Sequence, residues 1–211
     1  MKIIPICPKS FASNTYLLVS KNEAFIIDPS VSTEAISKAL TECNATLSGV
    51  LLTHGHFDHI VSIDTLRERF NVPVYIHEGD ACMLTDGHLN GFYMFFERDC
   101  VHKPADKFFT DGDTISIGDE SIKIIHTPGH SRGSCCFIFN EDGVGEALIT
   151  GDTLFATSVG RWDLFGGDPT VLADSIKKLS TFNKSTPIYP GHDTSSILGD
   201  ALDAVKYFFE F

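Results

Sequence analysis

Apolar residues fall in short runs through the first thirty positions of this chain. Ile3 to Ile6, Thr15 to Val19 and Ala24 to Ile27 read as strands, the last two joined by a hairpin turn at Ser20-Lys21-Asn22-Glu23. Asp28-Pro29 closes the third strand. The period then changes: after Ser32 or Thr33 as N-cap, Ala35, Ile36, Ala39, Leu40 and Cys43 recur at helical spacing, which predicts an amphipathic helix ending near Asn44. Leu47 to Thr53 is the next strand, uninterrupted by charge and therefore central. A second helix starts within or just after residues 54 to 59, with Ile60, Ile63, Leu66 and Phe70 on one face and Arg67, Glu68 and Arg69 on the other.

Val72 to Ile76 is a short strand that Pro73 places at a sheet edge. Residues 82 to 106 follow no period and concentrate Met83, Leu84, Leu89, Phe92, Tyr93, Met94, Phe95 and Phe96, either as core or as a lid over a pocket. Alternation returns in a hairpin, Thr114 to Ile117 and Ile122 to Ile125, and in the strands Cys135 to Phe139 and Ala147 to Thr150, linked through Asn140-Glu141-Asp142-Gly143. Asp168-Pro169 caps a helix through Leu172, Ile176 and Leu179. A strand at Pro187 to Tyr189 and a last helix from about Gly199, with Ala201, Leu202, Val205 and Phe208 inward, complete the pattern. With no linker and no repeat, the 211 residues predict one α/β (α+β) domain of two mixed sheets face to face, helices outside.

Composition narrows the setting. Hydrophobic residues make up 43% and charged residues 21%, with 17 Phe, as in a globular protein with a large core. The net charge of −12 and the absence of a basic run argue against nucleic acid and anionic membranes as partners. No stretch approaches the length of a membrane helix, and the apolar run at the amino terminus is cut by Pro5 and Pro8, too short for a signal peptide. Cys7, Cys43, Cys82, Cys100, Cys135 and Cys136 contain no Cys-x-x-Cys pair and read as reduced core residues of a cytoplasmic protein. Cys135 and Cys136, as strand neighbours, face opposite sides.

Candidate chemistry is densest just after the central strand. His54, His56, Asp58 and His59 stand in Thr53-His-Gly-His-Phe-Asp-His59, and imidazole nitrogen with carboxylate oxygen is the donor set of zinc, iron and manganese. Alone, such a stretch could also be a polar turn or a surface histidine cluster. Three more residues end strand-like runs in the same way, each preceded by glycine: His130 in Pro128-Gly129-His130, Asp152 in Thr150-Gly151-Asp152, and His192 in Pro190-Gly191-His192. Singly each is more often a cap or turn residue. Together the five imidazoles and two carboxylates exceed what one structural zinc needs and favour a catalytic pair of ions with open positions.

The spacing Asp28, His54-x-His56-x-Asp58-His59, His130, Asp152, His192 resembles the metallo-β-lactamase superfamily, whose fold is a four-layer αββα sandwich with the metals at one edge between the sheets. The resemblance implies that His54, His56 and His130 hold one ion, that Asp58, His59 and His192 hold the second, that Asp152 bridges them, and that Asp28 steadies the motif loop. Thr150-Gly151-Asp152-Thr153-Leu154-Phe155 and Gly160-Arg161-Trp162-Asp163 are most similar to the glyoxalase II (hydroxyacylglutathione hydrolase) group and its short bacterial relatives. Two departures bear on glutathione recognition: longer glyoxalase II enzymes carry Lys-Phe-Tyr at Arg161-Trp162-Asp163, and they continue into a helical domain beyond the equivalent of His192.

That resemblance implies two divalent ions, zinc first with iron or manganese as alternatives, lowering the pKa of a bridging water to about 7 for attack on a thioester or ester, with Asp58 orienting the hydroxide. Arg161 either binds a substrate carboxylate or, as preferred here, forms a buried pair with Asp163. His77, His88, His102 and His126 lack partner spacing and read as surface or hydrogen-bonded residues. The Gly-Arg-x-Asp form, shared with mononuclear iron persulfide dioxygenases, keeps that activity as the alternative, and a non-catalytic metal-binding module ranks third. The small-molecule substrate and the oligomeric state stay open at this stage.

Overall fold

The computed structural model describes residues 1–6 and 12–208; Cys7 lies outside them. Its strands are β1 (Lys2–Ile6), β2 (Thr15–Ser20), β3 (Glu23–Ile27), β4 (Thr46–Leu51), β5 (Val74–His77), β6 (Lys107–Phe109), β7 (Thr114–Ile117), β8 (Glu120–His126), β9 (Cys135–Glu141), β10 (Gly145–Gly151), β11 (Pro187–Pro190) and β12 (Ser196–Ile197). The helices are α1 (Thr33–Cys43), α2 (Ile63–Phe70), α3 (Phe92–Phe96), α4 (Pro169–Leu179) and α5 (Leu198–Val205). They build the expected α/β arrangement, two six-stranded mixed sheets with helices outside. One has the order β1-β2-β3-β4-β5-β6, the other β12-β11-β10-β9-β8-β7.

Strand periodicity sorts side chains into layers. In β2, Tyr16 and Leu18 point into the core between the sheets, while Leu17 and Val19 point to the outer layer that α1 and α2 cover with Ile36, Leu40, Ile63 and Leu66. Phe25, Ile27 and Leu51 meet Ile122, Ile124, Phe137 and Ile149 across the central layer. On the far side, Ile125, Ile138 and Leu148 pack under Leu172, Ile176 and Leu179 of α4 and Val205 of α5. Cys135 belongs to the central layer and its neighbour Cys136 to the outer one, so the two thiols do face opposite sides. Cys82 is exposed and Cys43 and Cys100 are half-buried, so only Cys135 and Cys136 of the described cysteines are fully buried.

Local signals explain the helix ends. The Ser32 hydroxyl accepts from Ala35 N, and Asn44 closes α1 in the left-handed region. Asp168 Oδ1 accepts from the backbone N–H groups of Thr170 and Val171 with Pro169 at the first helical position. Two expectations are corrected, and one strand had none. β5 is interior, because the three-residue β6 pairs with its far side and Pro73 only precedes it. Phe208 is exposed, since α5 stops at Val205 and no longer imposes its helical face there. β12, two residues long, escapes any period-2 reading.

Candidate metal centre

Five strands deliver polar residues to one edge of the sandwich. Asp28 follows β3, the His54 to His59 segment follows β4, His130 follows β8, Asp152 follows β10 and His192 follows β11. Residues 57 to 59 form a single 3-10 turn, so α2 begins at Ile63, beyond the motif. Close approach is possible because glycine precedes the late ligands. A Cβ at Gly191 would run into Asp152 Oδ1 and His59 Cε1, and Gly151 sits at a φ of 48° against Thr53.

The histidines are held in defined tautomers by their outer nitrogens. Asp28 accepts from Thr53 N at 2.8 Å and Thr53 Oγ1 at 2.6 Å, and its Oδ2 lies 2.9 Å from His59 Nδ1. Having donated its proton, Thr53 Oγ1 accepts from His54 Nδ1 at 3.1 Å. The Arg161 carbonyl, 2.6 Å away, can only accept, so His130 Nδ1 carries a proton as well. Each contact occupies the outer nitrogen and leaves Nε2 facing inward, the arrangement expected around a metal.

Three ring nitrogens then face one another. His56 Nδ1 is 2.8 Å from His130 Nε2, which is 3.2 Å from His54 Nε2. Bare nitrogens at this range repel unless a cation lies among them, and tetrahedral ligands about 2.1 Å from zinc stand about 3.4 Å apart. A second group joins Asp58, His59 and His192, with His192 Nε2 3.1 Å and His59 Nε2 3.8 Å from Asp58 Oδ2. Asp152 touches both: Oδ1 is 3.4 Å from His59 Nε2, while Oδ2 is 3.6 Å from His130 Nε2 and 3.5 Å from His192 Nε2. His59 Nε2 and Asp152 Oδ1 are buried with no hydrogen-bond partner, a costly state that a bound cation would relieve. The donor set fits divalent metal ions.

Electrostatics divide the two groups. Burial, reinforced by neighbouring imidazoles, holds His54 well below the ordinary histidine value, and burial with His130 pushes His56 down to about 3. Burial also opposes charge on His59, yet the carboxylates of Asp152, Asp58 and Asp28 outweigh it and raise this residue well above the ordinary value. His192 is raised for the same reason, against burial, by Asp58 and Asp152. Asp152 resists its own burial and is held well below the carboxylate range by His59 and then His130 and His192.

All seven predicted ligands and Asp28 are thus brought together. Arg161 is not buried: its Nε and Nη2 donate to Asp163 at 2.6 and 2.7 Å on the surface, although it also lines the cavity beside the cluster. His77 and His126 are partners in an unexpected stack, 4.0 Å between ring centroids. One residue was missed altogether. Asp80, fully buried, accepts from Gly55 N at 3.1 Å, Ser131 Oγ at 2.6 Å and Gly133 N at 2.7 Å. It thereby ties the motif loop to the loop bearing His130. Its signal was present: a strand end, a preceding glycine, then a carboxylate, as at Asp152.

The sequence profile of the metallo-beta-lactamase superfamily matches residues 9–192. A Bacillus subtilis (strain 168) protein described as probable metallo-hydrolase YqgX is 35% identical over 90% of this chain and 88% of its own. The crystal structure of the BLEG-1 B3 metallo-beta-lactamase superposes with a TM-score of 0.87 at 36% identity, covering 95% of this chain and 96% of that one. TTHA1623, solved in a di-iron-bound form, gives a TM-score of 0.78 at 28% identity over 93% of this chain and 96% of its own. Among the described residues no helix is long and apolar enough to cross a membrane.

Proposed function

The chain belongs to the metallo-β-lactamase superfamily of metal-dependent hydrolases, and on that footing we propose that it hydrolyses an acyl thioester or ester with two divalent ions bound, as in the glyoxalase II group. The observation that carries this reading is Asp152, whose carboxylate lies between the two ligand groups, with Oδ2 3.6 Å from His130 Nε2 and 3.5 Å from His192 Nε2 and Oδ1 3.4 Å from His59 Nε2. His54, His56 and His130 would hold one ion and Asp58, His59 and His192 the other, with zinc favoured and iron or manganese as alternatives. Such a pair supplies a nucleophilic water at neutral pH and polarises the acyl carbonyl.

The protein's own groups do the remaining work. Asp58 Oδ2, at the cavity wall and held below its ordinary pKa by His59 and His192 against burial, accepts a hydrogen bond from the attacking water and so orients it. Asp28 and Thr53 fix the rings of His59 and His54. Water oxygen bonds to the acyl carbon, the carbon–sulfur bond breaks, and the water's proton ends on the leaving thiolate, which with a free pKa near 8.5 needs no strong acid. For an ester the water's proton passes to the departing oxygen as the carbon–oxygen bond breaks, giving an alcohol.

The test pairs elemental analysis of purified protein with two assays, hydrolysis of acyl thioesters including S-lactoylglutathione, and oxygen uptake on glutathione persulfide. About two metal equivalents with thioester turnover is the expected result. One iron with oxygen uptake would replace this reading by the dioxygenase one, and metal without any turnover would reduce the protein to a binding module.

A further inference from the structure

The cluster opens into a cavity of about 720 Å3, far larger than a lactoyl group requires. Its walls are apolar: Phe57, Val61, Phe92, Phe95, Phe96 and Leu164. Phe57 is the hub, 5.5 Å from the ring of Phe92, 5.5 Å from Phe95 and 5.7 Å from Phe96. It sits in the motif itself, between His56 and Asp58, so the aromatic wall starts at the reacting centre. Phe95 and Phe96 remain 52% and 51% exposed, and contiguous exposed apolar surface of this kind marks a ligand site.

Charge points the same way. Among the described residues no lysine lines the cavity, and the arginine that does, Arg161, already has its guanidinium taken by Asp163. The other charged wall residues are the carboxylates Asp58 and Asp152. A carrier with two carboxylates, such as glutathione, finds no unpaired lysine or arginine among the described residues of the wall, whereas an uncharged hydrocarbon finds aromatic surface on several sides.

We propose that the substrate's acyl part is an uncharged apolar group, a medium-length chain or an aryl group, seated on Phe57, Phe92, Phe95 and Phe96. This rests on the hydrolase reading and names the substrate class of that same site. Burial of a hydrocarbon chain then enters the transition state as well as the ground state, so selectivity shows in kcat/KM.

The test uses the zinc-loaded full chain and S-acyl-N-acetylcysteamine thioesters from acetyl to octanoyl, with S-lactoylglutathione alongside. Each buried methylene should raise kcat/KM about fourfold, so octanoyl should exceed acetyl by roughly a hundredfold or more and should also exceed S-lactoylglutathione. In parallel, calorimetry follows binding of acetate, butyrate and octanoate without turnover, with the same rise expected. The double variant Phe95→Ser, Phe96→Ser, altering two half-exposed rings, should flatten both series. Hydrolysis with no dependence on chain length, or a preference for S-lactoylglutathione, overturns the apolar class and leaves the hydrolase standing. With no turnover on any substrate the hydrolase reading fails, and the carboxylate series decides alone: a rise keeps the apolar subsite and a flat series removes it.

Discussion

The imidazole group of the centre and its carboxylate group are built by the same device, strand ends meeting at one edge, but they are opposites in charge. His54 and His56 are buried among other imidazoles and kept neutral, and His56 falls to about 3. His59 and His192 are buried among carboxylates and raised. The first group is therefore ready to coordinate without losing a proton, while the second stores a proton that a metal must expel. Two sites a few ångströms apart thus differ in how acid affects loading.

The largest blow to that contrast is Asp152→Ala. It deletes the oxygens that face both groups and leaves the His59 cation less compensated, so hydrolysis should fall on the order of 10³-fold, several kcal/mol of transition-state stabilisation, with loss of about one metal equivalent. Metal analysis with turnover on a thioester checks it; wild-type content and rate would remove the bridge. Next comes Asp80→Ala, which strips the partner from Gly55 N, Ser131 Oγ and Gly133 N. We expect about 3 kcal/mol of lost stability in urea melts and roughly 10- to 100-fold weaker metal binding, with the imidazole group affected first. Asp80→Asn, keeping the acceptor on one side, should lose less of both.

Proton release sharpens the contrast further. The carboxylates of Asp152, Asp58 and Asp28 make His59 hold a proton to higher pH than an ordinary histidine, and a metal displaces it; metal affinity should therefore rise with pH. Calorimetry of zinc binding in two buffers of different ionisation enthalpy would reveal the release. His56→Ala should preserve it and His59→Ala should abolish it; the reverse pattern would sink the division. Smallest of all is Arg161→Ala. Its pair with Asp163 is solvent-exposed, and thermal melting should be unchanged.

Much of this was legible in the sequence because strand periodicity and glycine-preceded polar residues are local. The two mixed sheets, the Asp168-Pro169 cap and the meeting of the seven candidate ligands with Asp28 follow from spacing alone or from the family it resembles. What escaped depends on distance. Asp80 earns its place only through Gly55 and Ser131, far apart in the chain, and Thr53 through Asp28. β6 has Lys107 and Phe108 exposed on so short a run that no alternation can develop, so nothing in the sequence set a neighbour against the edge reading that Pro73 gave β5. Phe92 to Phe96 lacks a polar face, so its helix cannot be told from buried core until the cavity is seen.

Each ligand group draws on both halves of the sandwich. His54, His56, Asp58 and His59 come from the first sheet, His130, Asp152 and His192 from the second, and Cys135 N donates to Thr53 O across the seam at 2.8 Å. Metal occupancy and sheet cohesion are consequently one thermodynamic quantity. An ion bound here acts as an adhesive whose strength is set from outside, by its free concentration. At a hundred times Kd it adds about 2.7 kcal/mol to the work of pulling the sheets apart. A cell that starves the protein of metal would weaken its architecture along with its chemistry.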